Sequence, residues 1–318
     1  MTDAASALAA FCFYLGIAEP SWLNFLTVPA FINRRRFQKL KRKFPRAVSR
    51  WGLDSGGYTE IEMFGEWRMS AREYIALVRF LREVVGNLDF ALAMDWPVTL
   101  VTNKITRLSI KAHQARTLVS YVELVDLAPD LEAIFTPVLV GYEPHDFIEM
   151  ASSYYSVGVD LEKLPRVALG GLASRQHLPE VADLVSYFAR CKIPIHGLGF
   201  KKAGLSMCAS KLASADSQSW SQEARLEALD GTRRPTPSCA HTTHCGNCLH
   251  RAIEYRDEIL NVLPRSIDYD SQAGLFSVTS EPHYLDLYQG WGLARDRAVP
   301  LSGREAAFAK RLGLAKAA

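Results

Sequence analysis

The chain has 318 residues, of which 48% are hydrophobic and 22% are charged, and its formal net charge is +3. This is ordinary globular composition, with enough apolar residues for a large core. No apolar stretch approaches the length of a membrane span, and the N-terminus lacks the basic flank of a signal peptide. We therefore expect a soluble cytoplasmic protein with no membrane partner.

Short β-rich apolar runs alternate with longer amphipathic segments along the chain. The runs predict eight strands, at residues 11–14, 27–31, 51–54, 89–95, 136–140, 166–170, 194–198 and 213–216. Leu, Val, Tyr and Phe at three- and four-residue spacing predict helices at residues 71–85, 105–126, 144–156 and 175–190. Alternating strands and helices favour a parallel sheet, and eight strands close a (β/α)8 TIM-like barrel. A doubly wound open sheet is the alternative architecture.

Three predicted strands end in a carboxylate, at Asp54, Asp95 and Asp216. An aspartate at a strand end is often only the N-cap of the following helix. On the rim of a barrel, however, three such residues would converge on one cavity. Paired carboxylates there suit displacement at an anomeric carbon, because one attacks C1′ while the other shuttles a proton.

Two glycine pairs follow predicted strands, Gly56-Gly57 and Gly170-Gly171. Such pairs mostly mark loops. After barrel strands they also allow a planar ligand to lie against bare backbone, where N–H groups can bind its edge.

Residues 34–50 are strongly basic and contain no acidic residue. A solvated helix face is the alternative interpretation, but such a face normally mixes charges of both signs. The density of positive charge therefore predicts a surface that contacts nucleic-acid phosphates. The candidate contacts are Arg34, Arg35, Arg36, Lys39, Lys41, Arg42 and Lys43.

Cysteines and histidines cluster between residues 239 and 250. Cys239, His241, Cys245 and Cys248 form a set of three thiolates and one imidazole, which suits a closed tetrahedral Zn²⁺ site. His244 is the alternative to His241, and unligated cysteines in a loop are the alternative to a metal site. Since four protein ligands leave no open position, the zinc would be structural.

These patterns predict three regions of the chain. Residues 1–220 form the barrel, residues 221–264 form a small C-terminal zinc-binding subdomain packed on it, and residues 265–318 are an extension of unknown role.

Together the motifs resemble the queuine/archaeosine tRNA-guanine transglycosylase superfamily. The resemblance is closest to its DNA-acting branch, the DpdA-type transglycosylases, which place 7-deazaguanines in DNA. It covers roughly residues 11–260. It rests on the motifs FYLG (13–16), LDSGGYTE (53–60), MDWP (94–97), PVLVGYE (137–143), LGGL (169–172), HGLG (196–199), ASADS (213–217) and the cysteine cluster.

The resemblance implies that the protein replaces guanine in nucleic acid with a 7-deazaguanine such as preQ0. Asp216 would be the nucleophile of a covalent sugar–enzyme intermediate, and Asp54 the general acid/base. Asp95 would accept hydrogen bonds from the N1/N2 edge of the base. The other residues expected at the base are Ser55, Tyr58 as a stacking lid, Val140, Gly141, Gly170 and Gly171.

The sequence departs from the superfamily pattern in two places. Val140 stands where a glutamine usually binds the base carbonyl, so either Glu143 or the backbone replaces that contact or the selectivity for the base differs. The compact cysteine–histidine cluster differs from that of the tRNA enzymes and favours DNA as the substrate. The same chemistry on tRNA, or a non-catalytic nucleic-acid-binding barrel subunit, remain alternatives. Helper proteins of a DNA-modification system are further possible partners.

Overall fold

The computed structural model of the chain describes residues 11–40, 43–232 and 244–263. Within these residues nine parallel strands form one sheet. They are β1 (Cys12–Ile17), β2 (Ala30–Asn33), β3 (Trp51–Asp54), β4 (Leu88–Leu92), β5 (Phe135–Thr136), β6 (Val138–Val140), β7 (Val167–Gly170), β8 (Ile195–Gly197) and β9 (Ser214–Ser217). Their spatial order is β5-β4-β3-β2-β1-β9-β8-β7-β6, and the sheet winds into a nearly closed, TIM-like barrel.

The sheet has nine strands rather than the expected eight because one predicted strand is divided at Pro137. Proline has no N–H to donate to a neighbouring strand. On one side, the Thr136 carbonyl accepts from Ala93 N at 2.9 Å, next to β4. On the other side, the Pro137 carbonyl accepts from Ala168 N of β7, also at 2.9 Å. β5 and β6, the two edge strands of the sheet, are therefore consecutive parts of one segment that is joined through Pro137.

Helices separate most of the strands and cover the outside of the barrel. The described helices are α1 (Gly57–Phe64), α2 (Ala71–Val84), α3 (Leu100–Thr106), α4 (Ile110–Leu127), α5 (Pro144–Ser156), α6 (Pro179–Arg190), α7 (Lys202–Cys208), α8 (Ser219–Leu229) and α9 (Leu249–Val262). None of them combines the length and the apolar character needed to cross a bilayer.

Local sequence explains where several helices begin and end. Ser70 and Glu73 form a reciprocal capping box that starts α2. The helix predicted at residues 144–156 is confirmed, and Pro144 occupies its first turn. The helix predicted at residues 105–126 is confirmed from Ile110 onward, but its start is wrong, because residues 105 and 106 belong to α3. Arg107 adopts a left-handed φ of 57°, which ends α3 before α4 begins.

An aromatic layer fills the interior of the barrel. The rings of Tyr14 and Phe90 meet edge to face at 5.2 Å, and those of Phe31 and Phe90 stack at 5.7 Å. Gly52 has no room for a side chain, because a Cβ would lie 2.4 Å from the Phe90 ring. Side chains alternate between the two faces of a strand. A residue two positions after one of these interior residues on the same strand therefore also points into the barrel.

The two C-terminal helices of the described chain pack on the barrel beside β1. Trp220 of α8 donates its indole N–H to the Gly16 carbonyl at 2.8 Å. The Tyr255 hydroxyl of α9 forms hydrogen bonds with Ser219 at 2.7 Å and Ser217 at 3.1 Å. The last residue of β9 is thereby joined to the helix that follows the cysteine cluster.

Candidate active site

The three carboxylates predicted from the sequence lie at one end of the barrel. Asp54 ends β3, Asp216 lies one residue before the end of β9, and Asp95 follows β4 by three residues. Because the strands are parallel, their carboxyl ends open on one rim. Burial and the charge of Asp216 raise the pKa of Asp54, while burial and the charge of Asp54 raise the pKa of Asp95. Asp54 therefore lies within electrostatic range of both Asp216 and Asp95.

Asp216 is a buried carboxylate held from one side. The Gly199 N–H donates to its Oδ1 at 3.1 Å, and His196 Nε2 lies 3.4 Å from the same oxygen. In the described part of the chain no donor contacts Oδ2. One oxygen is therefore fixed by the barrel, and the other is available to an incoming group.

His196 is a functional candidate that the sequence analysis did not assign. It is fully buried among the aromatic residues of the barrel interior, and this burial lowers the pKa of the imidazole. Its Nδ1 lies 2.8 Å from Ser214 Oγ, in register across β8 and β9. The isolated histidine within the apolar strand pattern of PIHGLG was the available sequence signal, but its contact with Asp216 depends on the pairing of two strands.

Asp54 is held by its own loop and by the neighbouring strand. Asn33, its register partner on β2, donates to Oδ2 at 2.6 Å, and the Gly56 N–H donates to Oδ1 at 2.9 Å. Gly56 has a φ of +79°, a conformation that glycine adopts most readily. Desolvation exceeds the effect of these hydrogen bonds, and the pKa of Asp54 is raised. A raised pKa suits a carboxyl group that stores and releases a proton.

Asp95 occupies a tight, buried position beside Asp54. The Ser55 hydroxyl donates to its Oδ1 at 2.9 Å, and Trp67 donates to its main-chain carbonyl at 2.9 Å. At Gly57 a Cβ would stand only 2.4 Å from Asp95 Oδ1, so this position requires glycine. Burial, followed by the charge of Asp54, raises the pKa of Asp95 to about 7. Ser55 is itself fully buried, and its hydroxyl positions this carboxylate.

The second glycine pair lies where three rim loops meet. Gly171 has a φ of +81°, and a Cβ there would lie 2.6 Å from the Val98 carbonyl in the loop after Asp95. The same point is 3.5 Å from the Gly141 carbonyl after β6. Gly170 ends β7 and packs against Val140, which is fully buried. The residues predicted to line the base pocket are therefore neighbours on adjoining loops.

Two tyrosines extend the rim toward solvent. Tyr58 of α1 is 42% exposed, and its hydroxyl lies 3.4 Å from Glu62. Tyr142 follows Gly141 and carries the guanidinium of Arg175 at 3.9 Å from its ring centre. Arg175 Nη2 is buried without a hydrogen-bond partner in the described part of the chain. This stacked pair was not predicted from the sequence.

Arg34 does not lie on the surface where the sequence analysis placed it. It is 1% exposed, and its guanidinium contacts Glu60 of α1 at 2.6 Å. Its Nε donates to the Ser55 carbonyl at 2.5 Å. The acidic partner comes from outside the basic run, so the absence of acids within residues 34–50 did not reveal it. Arg34 therefore supports the Asp54 loop and is not available to phosphate.

The rest of the basic segment differs from residue to residue. Arg35 also pairs with Glu60, at 2.6 Å, but is partly exposed. Arg36 is partly exposed and Lys43 is exposed. The remaining predicted contacts lie outside the described side chains; they are Lys39, Lys41 and Arg42.

Half of the predicted zinc site lies within the described residues. Cys245 and Cys248 are both buried and belong to one cluster with Ala224, and Cys248 N donates to the Cys245 carbonyl at 3.2 Å. A tight turn of this kind is what a Cys-x2-Cys pair needs to present two sulfurs to one metal ion. The described residues contain no complete group of metal ligands. Cys239 and His241 lie outside them.

The fold and the rim define a TIM-like barrel protein with a carboxylate-lined site at the carboxyl ends of its strands. A family model described as DpdA, DeoxyPurine in DNA protein A, matches residues 10–279. The chain belongs to the DpdA family, and the resemblance inferred from the motifs is confirmed. Membership links the chain to deoxypurine modification of DNA. A search of curated proteins gives no match.

Proposed function

We propose that the protein is a transglycosylase that replaces guanine in DNA with a 7-deazaguanine base through a covalent Asp216–sugar intermediate. The observation that carries this proposal is the presence of Asp54 and Asp216 at one rim in different surroundings. Among the described residues Asp216 is held at Oδ1 only, whereas Asp54 is desolvated and has a raised pKa. Membership of the DpdA family supports DNA as the substrate.

In the first half-reaction, a free carboxylate oxygen of Asp216 attacks C1′ of a deoxyguanosine that has been flipped out of the duplex. The C1′–N9 bond breaks, its electron pair leaves with guanine, and Asp54 donates a proton to the departing base. In the second half-reaction, N9 of the 7-deazaguanine attacks C1′ and gives its proton to Asp54. The ester electron pair returns to Asp216, and two inversions yield overall retention.

The base pocket follows from the groups around Asp95. In its ionised form this carboxylate accepts hydrogen bonds from the N1–H and the exocyclic amine of a guanine-like base. Because the Cβ direction of Gly171 is filled by the Val98 carbonyl, Gly170 and Gly171 would contribute backbone N–H groups at the edge of the base. Tyr58, which is exposed on α1, would stack on the base from the solvent side. Since Val140 has no polar side-chain atom, the base carbonyl would be bound by backbone N–H groups or by Glu143.

The DNA backbone would cross the rim beside the exposed basic residues. Arg36 and Lys43 remain candidates for phosphate contacts, together with the partly exposed Arg35. Arg175 is an additional candidate, because its guanidinium is oriented by Tyr142 and retains an unused N–H.

We also propose one structural Zn²⁺, bound by Cys239, His241, Cys245 and Cys248. The burial and close turn of Cys245 and Cys248 fit two of the four ligands. His244 is the alternative imidazole, although its Nδ1 accepts from Gly246 N at 3.1 Å and only Nε2 would remain for metal. Such a site would hold α9 in place rather than take part in the reaction.

The test is exchange of labelled guanine by the purified protein supplied with preQ0. We expect release of label from guanine-containing DNA but not from tRNA, and mass spectrometry of the digested DNA should show the 7-deazaguanine nucleoside. Exchange confined to tRNA would change the substrate but retain the chemistry. Binding of DNA without exchange, in the presence of cell extract that supplies helper proteins, would instead indicate a non-catalytic subunit.

A further inference from the structure

We propose that His196 is a positioning residue for Asp216, acting as a neutral imidazole that directs Nε2–H at Oδ1 of the nucleophile. This inference rests on the proposed function, because it assigns a role relative to the attacking carboxylate. It starts from an unusual feature of the barrel interior. Barrel cores are commonly filled by layers of branched apolar side chains, whereas this one contains a fully buried histidine.

The imidazole belongs to a chain of polar groups that runs through the barrel from the rim. Its Nε2 lies 3.4 Å from Asp216 Oδ1 and forms no hydrogen bond within the described residues, and its Nδ1 lies 2.8 Å from Ser214 Oγ. Arg166 Nε donates to the same serine oxygen at 3.2 Å, and its Nη2 lies 3.4 Å from Asp89 Oδ2. Tyr14 joins the far end of the chain by donating its hydroxyl to Asp89.

The hydrogen-bond chain and the charge of Asp216 together favour one tautomer of His196. A guanidinium only donates, so Ser214 Oγ must accept from Arg166. The serine hydroxyl hydrogen is then free to donate to Nδ1 of His196. In that arrangement the imidazole proton is on Nε2, the nitrogen nearer to the carboxylate. Ser214 Oγ has a second lone pair that could instead accept from Nδ1–H, so the nearby carboxylate decides between the two tautomers. The opposite tautomer would direct a nitrogen lone pair at the anionic oxygen of Asp216, which is unfavourable.

Burial keeps the imidazole neutral, and packing keeps it fixed. The rings of Phe90, Tyr14 and Phe31 lie 5.2 to 6.0 Å from it, and their burial of the ring lowers the pKa of His196. The charged groups that face it are Asp216, Arg166 and Asp89, with Asp216 and Asp89 opposing the effect of burial and Arg166 adding to it.

A neutral N–H on Oδ1 would serve both half-reactions. Together with the Gly199 N–H, it restrains the carboxylate so that Oδ2 faces the sugar. The 3.4 Å separation is long for a hydrogen bond, and the contact can shorten when Oδ1 carries the returning charge as the ester breaks. An imidazolium in this place would stabilise the carboxylate more strongly and reduce its nucleophilicity.

The first test compares rates of covalent adduct formation in a single turnover on guanine-containing DNA. His196→Phe fills the aromatic layer but removes the donor, and we expect a rate about 10- to 100-fold lower with unchanged affinity for DNA. His196→Gln retains a side-chain N–H near the Nε2 position and should recover part of the loss. Ser214→Ala should also slow the adduct. Ser186→Ala is the matched control, because Ser186 is equally buried but lies on α6, where its hydroxyl donates to the Ala182 carbonyl instead.

The second test is ¹⁵N NMR of labelled histidine, which needs no activity. The wild-type protein should show His196 as the neutral Nε2–H tautomer near pH 7, and Ser214→Ala should shift the signal toward the Nδ1–H form. Wild-type adduct rates in folded His196→Phe, or an Nδ1–H tautomer in the wild type, would overturn the inference. If His196→Phe does not fold, the adduct rates of His196→Gln and Ser214→Ala test the inference instead. If the wild type forms no adduct, the proposed function fails while the NMR result still tests the tautomer.

Discussion

At the scale of single residues, the surroundings of the two rim carboxylates lead to different expectations for their variants. Asp216→Asn removes the only group proposed to bond to C1′, so guanine exchange should fall by at least about 10³-fold. DNA binding and the melting temperature should change little. Asp54→Asn should also lose turnover, because its raised pKa is the property that suits proton transfer.

The measurement is release of labelled guanine, with Asp130→Asn as the control. Asp130 is an exposed carboxylate paired with Arg79 and lies outside the rim. Its variant should exchange guanine at the wild-type rate. An Asp216→Asn protein that keeps this rate would contradict the role assigned to the nucleophile.

Asp95 predicts a pH dependence of base binding. Its pKa is raised to about 7, so below this pH the empty site holds mainly the protonated acid. A guanine-like edge donates its N1–H and amine hydrogens and therefore prefers the carboxylate. Affinity for the free base should rise with pH, by up to about tenfold per unit below pH 7, and then level off.

Calorimetric titration of preQ0 between pH 5.5 and 8.5 would measure this dependence. Asp95→Asn keeps the size of the side chain but cannot titrate, so its profile should be flat apart from any contribution of Asp54. A wild-type profile that matches the Asn variant would show that Asp95 does not bind the base as a carboxylate.

The sequence predicted single residues well only where their function depends on local position. Asp54, Asp95 and Asp216 follow apolar strands, and that pattern was sufficient to bring them to one rim. Arg34 was misplaced because its partner Glu60 is supplied by a helix that folds back over it. His196 received no role because its contacts are made across strands. The charge and polarity of one segment do not predict partners that come from other segments of the chain.

At the scale of elements, strand positions were predictable and strand continuity was not. The prediction of residues 51–54 matches β3, since a short apolar run between loop residues leaves few other possibilities. The run at residues 136–140 has the same apolar character but contains Pro137. The effect of that proline depends on which strands pair with the segment on each side. That pairing is set by the whole sheet and cannot be read from the segment alone.

The element that follows the cysteine cluster leads to a prediction about metal. Purified protein should contain about one zinc per chain, the content of a single closed site. Cys245→Ser and Cys248→Ser should lose the metal and lower the melting temperature, because structural zinc binding is coupled to folding. Guanine exchange should fall as well, since Tyr255 joins α9 to Ser217, the neighbour of the nucleophile.

Cys208→Ser is the matched control, because Cys208 is equally buried but lies on α7 with its thiol directed at the Gly204 carbonyl. It should retain the zinc.

His241→Ala should lose more metal than His244→Ala. The reverse order would indicate that His244, and not His241, is the zinc ligand. Equal zinc content in wild type and both cysteine variants would remove the proposed site.

At the scale of the whole molecule, the net charge of +3 is too small to direct DNA binding by itself. The local basic segment should therefore determine the salt dependence. Each phosphate contact contributes about 0.9 to the log–log slope of affinity against salt. Replacing both Arg36 and Lys43 with Gln should reduce the slope by about twice that amount. Lys163→Gln, an exposed lysine paired with Asp160, should leave it unchanged.

Fluorescence anisotropy with a labelled duplex at several salt concentrations would measure the slopes. Arg34→Gln provides an informative contrast, because its buried ion pair with Glu60 predicts lost stability rather than a changed slope. A reduced slope in Arg34→Gln with unchanged stability would indicate that Arg34 contacts DNA phosphates.

The division at Pro137 has a consequence for how the protein is assembled. β1 to β5 occupy residues 12–136 and β6 to β9 occupy residues 138–217, so each half-barrel is one uninterrupted piece of chain. Asp54 and Asp95 belong to the first half, whereas Asp216 belongs to the second. Two polypeptides divided at this position should each be inactive, and activity on mixing should rise with the product of their concentrations. The proposed active site is thus complete only when the two half-barrels are in contact. In the intact chain the peptide bond between them makes that contact intramolecular.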